Sequence, residues 1–369
     1  MTTDLNTIYN FNLNLMEENK SNITVLVTGI SGFVGAEVGC QLLEKGYKVR
    51  GTVRSLKNEL KLKPIRELHP AAATHLELVE ADLGVETGWA EAVKGVDYIQ
   101  HIASPIPFKP PSKRDELVAP AVNGTLYVLR AADAEPSVKA VVVTSSALVY
   151  MDGKKLLPGT NVLNEEEVGD DSNVGPYPLS KYRAMRAAWD FYKEKERSFK
   201  MTMIHPSGIF GPSKIDVVNT SSAFVQLMML GKFPACPAIE IPCLDVRDCA
   251  AIHILAMEKI DKTEGESYIA SNRSLSFMEL GITLDDEFGK YGYKIPTKEM
   301  SNCMFNMACM MNKSMRQMKP YYRKKVDLEH HKLAKAIGFD KYIPLRRAIV
   351  EAGYEMIKNG KVPNKINAK

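Results

Sequence analysis

A tyrosine followed four residues later by a lysine can do acid–base chemistry when a helix holds both on one face. A free phenol has a pKa of about 10, so near neutrality it exchanges protons only with help, and a neighbouring cation favours its phenolate. The pattern occurs four times, at Tyr150/Lys154, Tyr177/Lys181, Tyr321/Lys325 and Tyr354/Lys358. The first is interrupted by Gly153, and the third, flanked by Arg323 and Lys324, reads as a solvated basic face. The fourth falls on the last helix, beyond any sheet. Only Tyr177/Lys181 opens a helix that follows a valine strand running into Thr144-Ser145-Ser146-Ala147. Those hydroxyls sit at the carboxyl end of a strand, where open α/β sheets bind ligands. A serine there by itself would be read as a turn cap. Joined to the tyrosine and lysine, it reads as part of a site.

A second group of residues points to a dinucleotide. Thr28-Gly29-Ile30-Ser31-Gly32-Phe33-Val34-Gly35 lies between an apolar β-branched run and a helical pattern. Glycines at such a junction let the backbone turn tightly and approach a pyrophosphate, which the free N–H groups of the helix N-terminus bind. The spacing is G-x-x-G-x-x-G. About 20 residues beyond the last glycine an NAD-binding protein places an acid for the ribose hydroxyls. Here the residues are Val53-Arg54-Ser55, with Lys57 and Lys61 behind them and no acid from Tyr47 to Asn58. A guanidinium binds a 2′-phosphate bidentately and a carboxylate repels it, so the expected cofactor is NADP(H).

Alternating strands and helices must position these groups. Strands are expected at 23–27, 47–53, 76–81, 96–103, 138–145 and 201–205, with helices at 33–45, 90–94, 115–133 and 177–195. That order specifies an α/β fold with a parallel sheet covered on both faces. After Pro206 the pattern breaks, and a helix at 246–259 and a strand at 267–270 return to the sheet. From Ser276 onward the chain reads as mostly helical. Its stripe of Met300, Met304, Met307, Met310, Met311 and Met315 is expected to pack into the core, with an adaptable hydrophobic pocket as the alternative.

Composition sets the outer limits. The chain has 369 residues, 45% hydrophobic and 25% charged, which excludes disorder and collagen-like architecture. Its net charge of +4 is too small to argue for a nucleic-acid partner. No apolar run approaches the roughly 18 residues of a membrane span. The six cysteines form no C-x-x-C pair, and Cys243 and Cys249 are expected to be plain thiols in a reducing compartment. His101 and His205 fall on strands and read as buried structural histidines. His330 and His331 are expected to point apart on a helix, so no metal site is expected. Residues 1–22 match neither a secretory nor a mitochondrial leader and read as a disordered extension, with a cytoplasmic location expected.

With those residues in place, the sequence resembles the extended short-chain dehydrogenase/reductases, and among them the dihydroflavonol-reductase-like and 3β-hydroxysteroid-dehydrogenase-like group. The resemblance runs from about residue 23 to 361. Besides the glycine turn it rests on Ala81-Asp82-Leu83, His101-Ile102-Ala103-Ser104-Pro105, Asn123-Gly124-Thr125, Tyr177-Pro178-Leu179-Ser180-Lys181, the run from His205 to Pro212, and Asp245-Val246-Arg247-Asp248. It implies a Rossmann-type doubly wound sheet over 23–205 with 246–271 returning, and a smaller substrate lobe from 206–245 and 272–361. It carries cofactor contacts to Gly29, Gly32, Gly35, Arg54, Asp82, Leu83, Ala103, Lys181 and Pro206, and the neighbouring Thr28, Ser31, Phe33, Val34, Lys57, Lys61, Ser104 and Ser207 are further cofactor-binding candidates. The catalytic pattern carries to Ser146, Tyr177 and Lys181, with Ser146 preferred to Ser145 because it precedes the alanine.

The implied activity is NADPH-dependent reduction of a small hydrophobic ketone or aldehyde, or oxidation of the alcohol, by a monomer or homodimer. Flavonoid-reducing members carry an Asn a few residues after the catalytic serine, whereas here Ser146 is followed by Ala147-Leu148-Val149-Tyr150-Met151. An NAD-linked 3β-hydroxysteroid dehydrogenase or a sugar-nucleotide epimerase or dehydratase is the second reading. A non-catalytic NADP-sensing regulator is a third, and the retained Tyr–Lys pair speaks against it.

Overall fold

A computed structural model of the chain describes residues 20–105 and 111–366. The expected N-terminal extension therefore lies outside the described residues as far as residue 19. The strands are β1 (Thr24–Thr28), β2 (Lys48–Val53), β3 (Leu76–Glu80), β4 (Tyr98–His101), β5 (Ala140–Thr144), β6 (Gly159–Leu163), β7 (Lys200–Pro206), β8 (Gly208–Phe210), β9 (Glu240–Asp245), β10 (Ser267–Ala270), β11 (Arg273–Ser276) and β12 (Lys324–Leu328). Seven of them form one sheet in the order β10-β7-β5-β4-β1-β2-β3, every pair parallel. Their apolar runs are continuous because both faces are covered: Val25, Leu26 and Val27 of β1 and Val141 and Val142 of β5 are all inaccessible to solvent.

Helices α1 (Phe33–Glu44) and α5 (Val246–Glu258) pack on one face, and α3 (Val118–Ala134) and α4 (Pro176–Lys193) on the other, with α2 (Glu59–Arg66) following β2. The order reverses between β1 and β4, and their carboxyl ends open the crevice where such sheets bind ligands. The local signals agree with this architecture. Proline at the first position of α4 costs no hydrogen bond, and Asp245 caps α5 by accepting from the Arg247 N–H at 2.7 Å. The returning helix and β10 appear where the sequence places them.

The rest of the chain builds two small sheets. Strand β9 pairs antiparallel with β11 and parallel with β8, and β12 pairs parallel with β6. Neither β6 nor β12 is expected from the sequence, because each is short and only partly buried and its partner lies some 160 residues away. The Met stripe departs from expectation too. Met300 and Met315 are buried, but on helix α6 (Asn302–Met311) Met307, Met310 and Met311 are 56%, 78% and 84% exposed.

Two side-chain readings change as well. Tyr321 is not on a solvated face: it is buried, and its hydroxyl donates to the Asp152 carboxylate. His330 caps the helix that starts at His331, so the two rings stack 5.8 Å apart instead of diverging. Among the described residues no cluster of metal-ligating side chains is found, and no helix is long and apolar enough to cross a membrane.

Candidate active site

The glycine turn is built by close approach. Gly29 has φ +68°, and a Cβ there would lie 3.0 Å from that of Ala103. A Cβ on Gly35 would fall 2.3 Å from the Gly29 carbonyl oxygen, so α1 can start against the turn only with glycine at that position. Gly32 caps α1 without any side-chain hydrogen bond, and the first turn contains no acid. Its leading N–H groups, from Phe33 and Val34 onward, are therefore left for an anion. Ser31 is exposed beside them. The Thr28 hydroxyl is committed elsewhere: it accepts from the N–H groups of Ile102 and Ala103, each at 3.0 Å, and meets His101 Nδ1 at 3.0 Å. Thr28 thus holds Ala103 and Ser104 against the turn and offers nothing to a ligand from its side chain.

The far edge of the site lies beyond β2. Gly29 N–H donates to Thr52 Oγ1 at 3.0 Å, and Arg54, Lys57 and Lys61 follow, all exposed. Sequence reasoning missed one acid here. Parallel pairing sets Val53 opposite Glu80, whose carboxylate accepts from the Leu56 N–H at 2.6 Å and holds the loop between Arg54 and Lys57. The Asp82 carboxylate, exposed, accepts from Gly84 N–H at 2.9 Å. Behind it Leu83 packs on Gly124, where a Cβ would come within 2.8 Å.

The catalytic candidates meet at the end of β5. The turn carrying the serines is pinned to β7 by Ser145 N–H to the Ile204 carbonyl (2.8 Å) and Ala147 N–H to the Pro206 carbonyl (2.9 Å). Ser146 is buried, its hydroxyl accepts from the Leu148 N–H at 3.3 Å, and it neighbours Tyr177, which is half-buried in the first turn of α4. Burial pushes the Tyr177 phenol up to about 12, and the neighbouring Ser146 hydroxyl works in the opposite direction. One helical turn on, Lys181 is buried, its Nζ 5.9 Å from the centre of the Tyr177 ring and 3.4 Å from the Thr144 carbonyl. Burial alone lowers its ammonium to about 8.

Beside Lys181 a small cavity is lined by His101, Ala103, Ser104, Thr144 and Ser145. The buried hydroxyls of Ser145 and Ser207 have no partner. Glycine cradle, uncapped helix N-terminus, basic loop and unpaired hydroxyls together fit a dinucleotide phosphate lying across the crevice. His101 and His205 are buried, as the sequence implies, and burial drives both to about 3, so they are neutral. His205 Nε2 meets the Tyr150 hydroxyl at 3.4 Å, a contact that removes Tyr150 from the Tyr–Lys candidates.

The sequence profile of the NAD dependent epimerase/dehydratase family matches residues 25–270, the span that contains every one of these groups. The chain belongs to that family. It is 31% identical over 290 residues to the bifunctional dihydroflavonol 4-reductase/flavanone 4-reductase of Malus domestica, covering 74% of this chain and 78% of that protein. The crystal structure of Candida albicans Gre2 in complex with NADPH superposes with a TM-score of 0.74 at 27% identity, covering 91% of this chain and 99% of that one. Yeast methylglyoxal/isovaleraldehyde reductase Gre2 complexed with NADPH gives 0.75 at 25%, with 92% and 100% covered. These relatives place the chain in the dihydroflavonol-reductase-like group of the family.

Proposed function

We propose that this family member reduces small hydrophobic ketones or aldehydes with NADPH, using Ser146, Tyr177 and Lys181. The class of the activity, an NADP-dependent oxidoreductase, is that of its relatives. The observation that carries the finer reading is the convergence of three side chains on one point. Ser146 lies beside the Tyr177 phenol and counters the upward push of burial on it, while the Lys181 ammonium, buried without an acid, lies one helical turn behind.

Bound NADPH supplies the hydride for the carbonyl carbon. As the carbon–oxygen double bond opens, negative charge grows on the oxygen. Ser146 Oγ donates a hydrogen bond to that oxygen, and Tyr177 gives it a proton, so the alcohol O–H forms as the phenol O–H breaks. The Lys181 ammonium stabilises the phenolate left behind, which then regains a proton from solvent. Donors already fixed in a dry site need no reorganisation at that moment. Arg54, with Lys57 and Lys61, is assigned to the 2′-phosphate.

The test is NADPH oxidation against a panel of ketones and aldehydes. Tyr177→Phe is expected to lower kcat by about 10²–10⁴-fold, the usual worth of a positioned acid, with NADPH affinity unchanged. Full activity in that variant would overturn the assignment.

A further inference from the structure

The exposed methionines of α6 coincide with an imbalance of charge. Between residues 294 and 325 there are eight lysines and arginines and one acid, Glu299, although the whole chain carries only +4. The remainder of the protein is therefore net negative, and the surplus of positive charge lies in this one segment, where Lys325 is paired with Asp327 at 3.0 Å. Glu299 is itself paired with Arg323 at 2.6 Å.

Helix α6 has two faces. Phe305 and Cys309 are buried, with Phe305 stacked on Tyr322 at 3.9 Å between ring centres. At about 100° per residue, Met307, Met310 and Met311 fall within one arc of roughly 100° on the opposite side. One cation of the segment is fixed beside that arc. Arg316 donates to the Cys309 and Met310 carbonyls, each at 3.0 Å, which sets a guanidinium at the end of α6 beside the methionines. Lys298 and Lys319 are exposed nearby in the chain.

We infer that this face, Met307, Met310 and Met311 with Arg316 and Lys319, docks the protein on an anionic lipid bilayer. Protruding flexible thioethers inside a basic border suit a fluid surface, where apolar side chains enter the acyl boundary and cations meet the headgroups. Three unbranched, flexible methionines on a convex helix present no fixed shape, which suits a fluid acyl boundary better than a single folded partner. Charge complementarity selects acidic headgroups. The docking is peripheral and requires no spanning helix. It needs nothing from the reductase chemistry, although it would bring the catalytic crevice to a membrane in which hydrophobic carbonyls dissolve.

The test is sedimentation of the full chain with vesicles of phosphatidylcholine, alone or with phosphatidylserine. Binding is expected on the phosphatidylserine vesicles at low salt, weakening as salt screens the headgroups. The triple variant Met307→Ser, Met310→Ser, Met311→Ser should bind about tenfold more weakly, as should Lys319→Glu, with unchanged melting by circular dichroism. If the triple variant unfolds, Met311→Gln alone gives the same comparison with a smaller loss. Three outcomes would overturn the inference: no retention on acidic vesicles, equal retention of the variants, or retention by an acidic protein surface in place of vesicles.

Discussion

Lys181 Nζ donates to the carbonyl of Thr144, and the hydroxyl of the same threonine is held by His253 Nε2 at 2.9 Å. His253 Nδ1 lies 2.7 Å from the Cys249 carbonyl and so must carry the proton, which leaves Nε2 to accept from Thr144. The strand end that leads into Ser146 is thus tied on one side to the lysine and on the other to α5, the helix that returns to the sheet from far along the chain.

Burial of an ammonium without an acid costs stability. Lowering Lys181 from its ordinary value of 10.5 to about 8 amounts to as much as ~3 kcal/mol against folding near neutral pH. Lys181→Met is therefore expected to abolish most of the reductase activity and yet leave the protein as stable as the parent, or more so. Urea unfolding monitored beside NADPH oxidation checks both halves. A variant that lost activity together with several kcal/mol of stability would show a structural role for the lysine instead.

The same displacement sets the pH profile. In the proposed mechanism reduction needs the Tyr177 proton and the Lys181 charge, and the lysine is the group that titrates near neutrality. Its folded value lies below its unfolded one, so the charged form is present below about pH 8 and is lost above it. kcat for carbonyl reduction should fall as pH rises through about 8, and alcohol oxidation, which draws on a phenolate that the same charge favours, should lose that support over the same range. Tyr177, pushed up to about 12, contributes nothing to the reductive limb below that. Initial rates in both directions from pH 6 to 10, roughly two pH units either side of that midpoint, decide this.

How far the site could be read in advance depends on how local its signals are. The glycine turn, the valine strand with its hydroxyls, and the Tyr177/Lys181 spacing each lie within about ten residues. Their elements appear where the sequence puts them. Glu80 was invisible because it reaches the Arg54 loop through the register of β2 against β3, not through nearness in sequence. The pairing of β6 with β12 was hidden for the same reason. The Met stripe failed differently. Periodicity identifies an apolar stripe, but only the packing of Phe305 and Cys309 shows that the helix turns its other side inward.

The turn should be intolerant at Gly35. An alanine Cβ would sit 2.3 Å from the Gly29 carbonyl oxygen, and the nearest atoms it meets are all backbone, so one of the two segments must move. Gly35→Ala is expected to destabilise the fold by about 1–3 kcal/mol, as overpacking does, and to weaken NADPH binding more than tenfold. Gly95→Ala is a useful control. That glycine also has positive φ, but nothing lies near its Cβ, so it should lose stability with NADPH affinity intact. Thermal melting and fluorescence titration with NADPH separate the two. Equal NADPH affinity in both variants would count against the turn as the phosphate site.

Cofactor choice should respond to two residues in opposite ways. Arg54→Ala removes a guanidinium assigned to the 2′-phosphate, so KM for NADPH should rise about 10-fold or more while KM for NADH stays level. Glu80 acts through the loop. Its carboxylate holds the Leu56 N–H between Arg54 and Lys57, so Glu80→Ala should also raise KM for NADPH by freeing that loop. Glu80→Gln keeps an acceptor oxygen for Leu56 and removes a negative charge from the neighbourhood of the phosphate. It should therefore bind NADPH as well as the parent or better, and this rescue is what a general loss of structure would not produce. If Glu80→Gln behaves like Glu80→Ala, the hydrogen bond is not what the loop depends on. If Arg54→Ala raises KM for both cofactors equally, Arg54 does not read the 2′-phosphate.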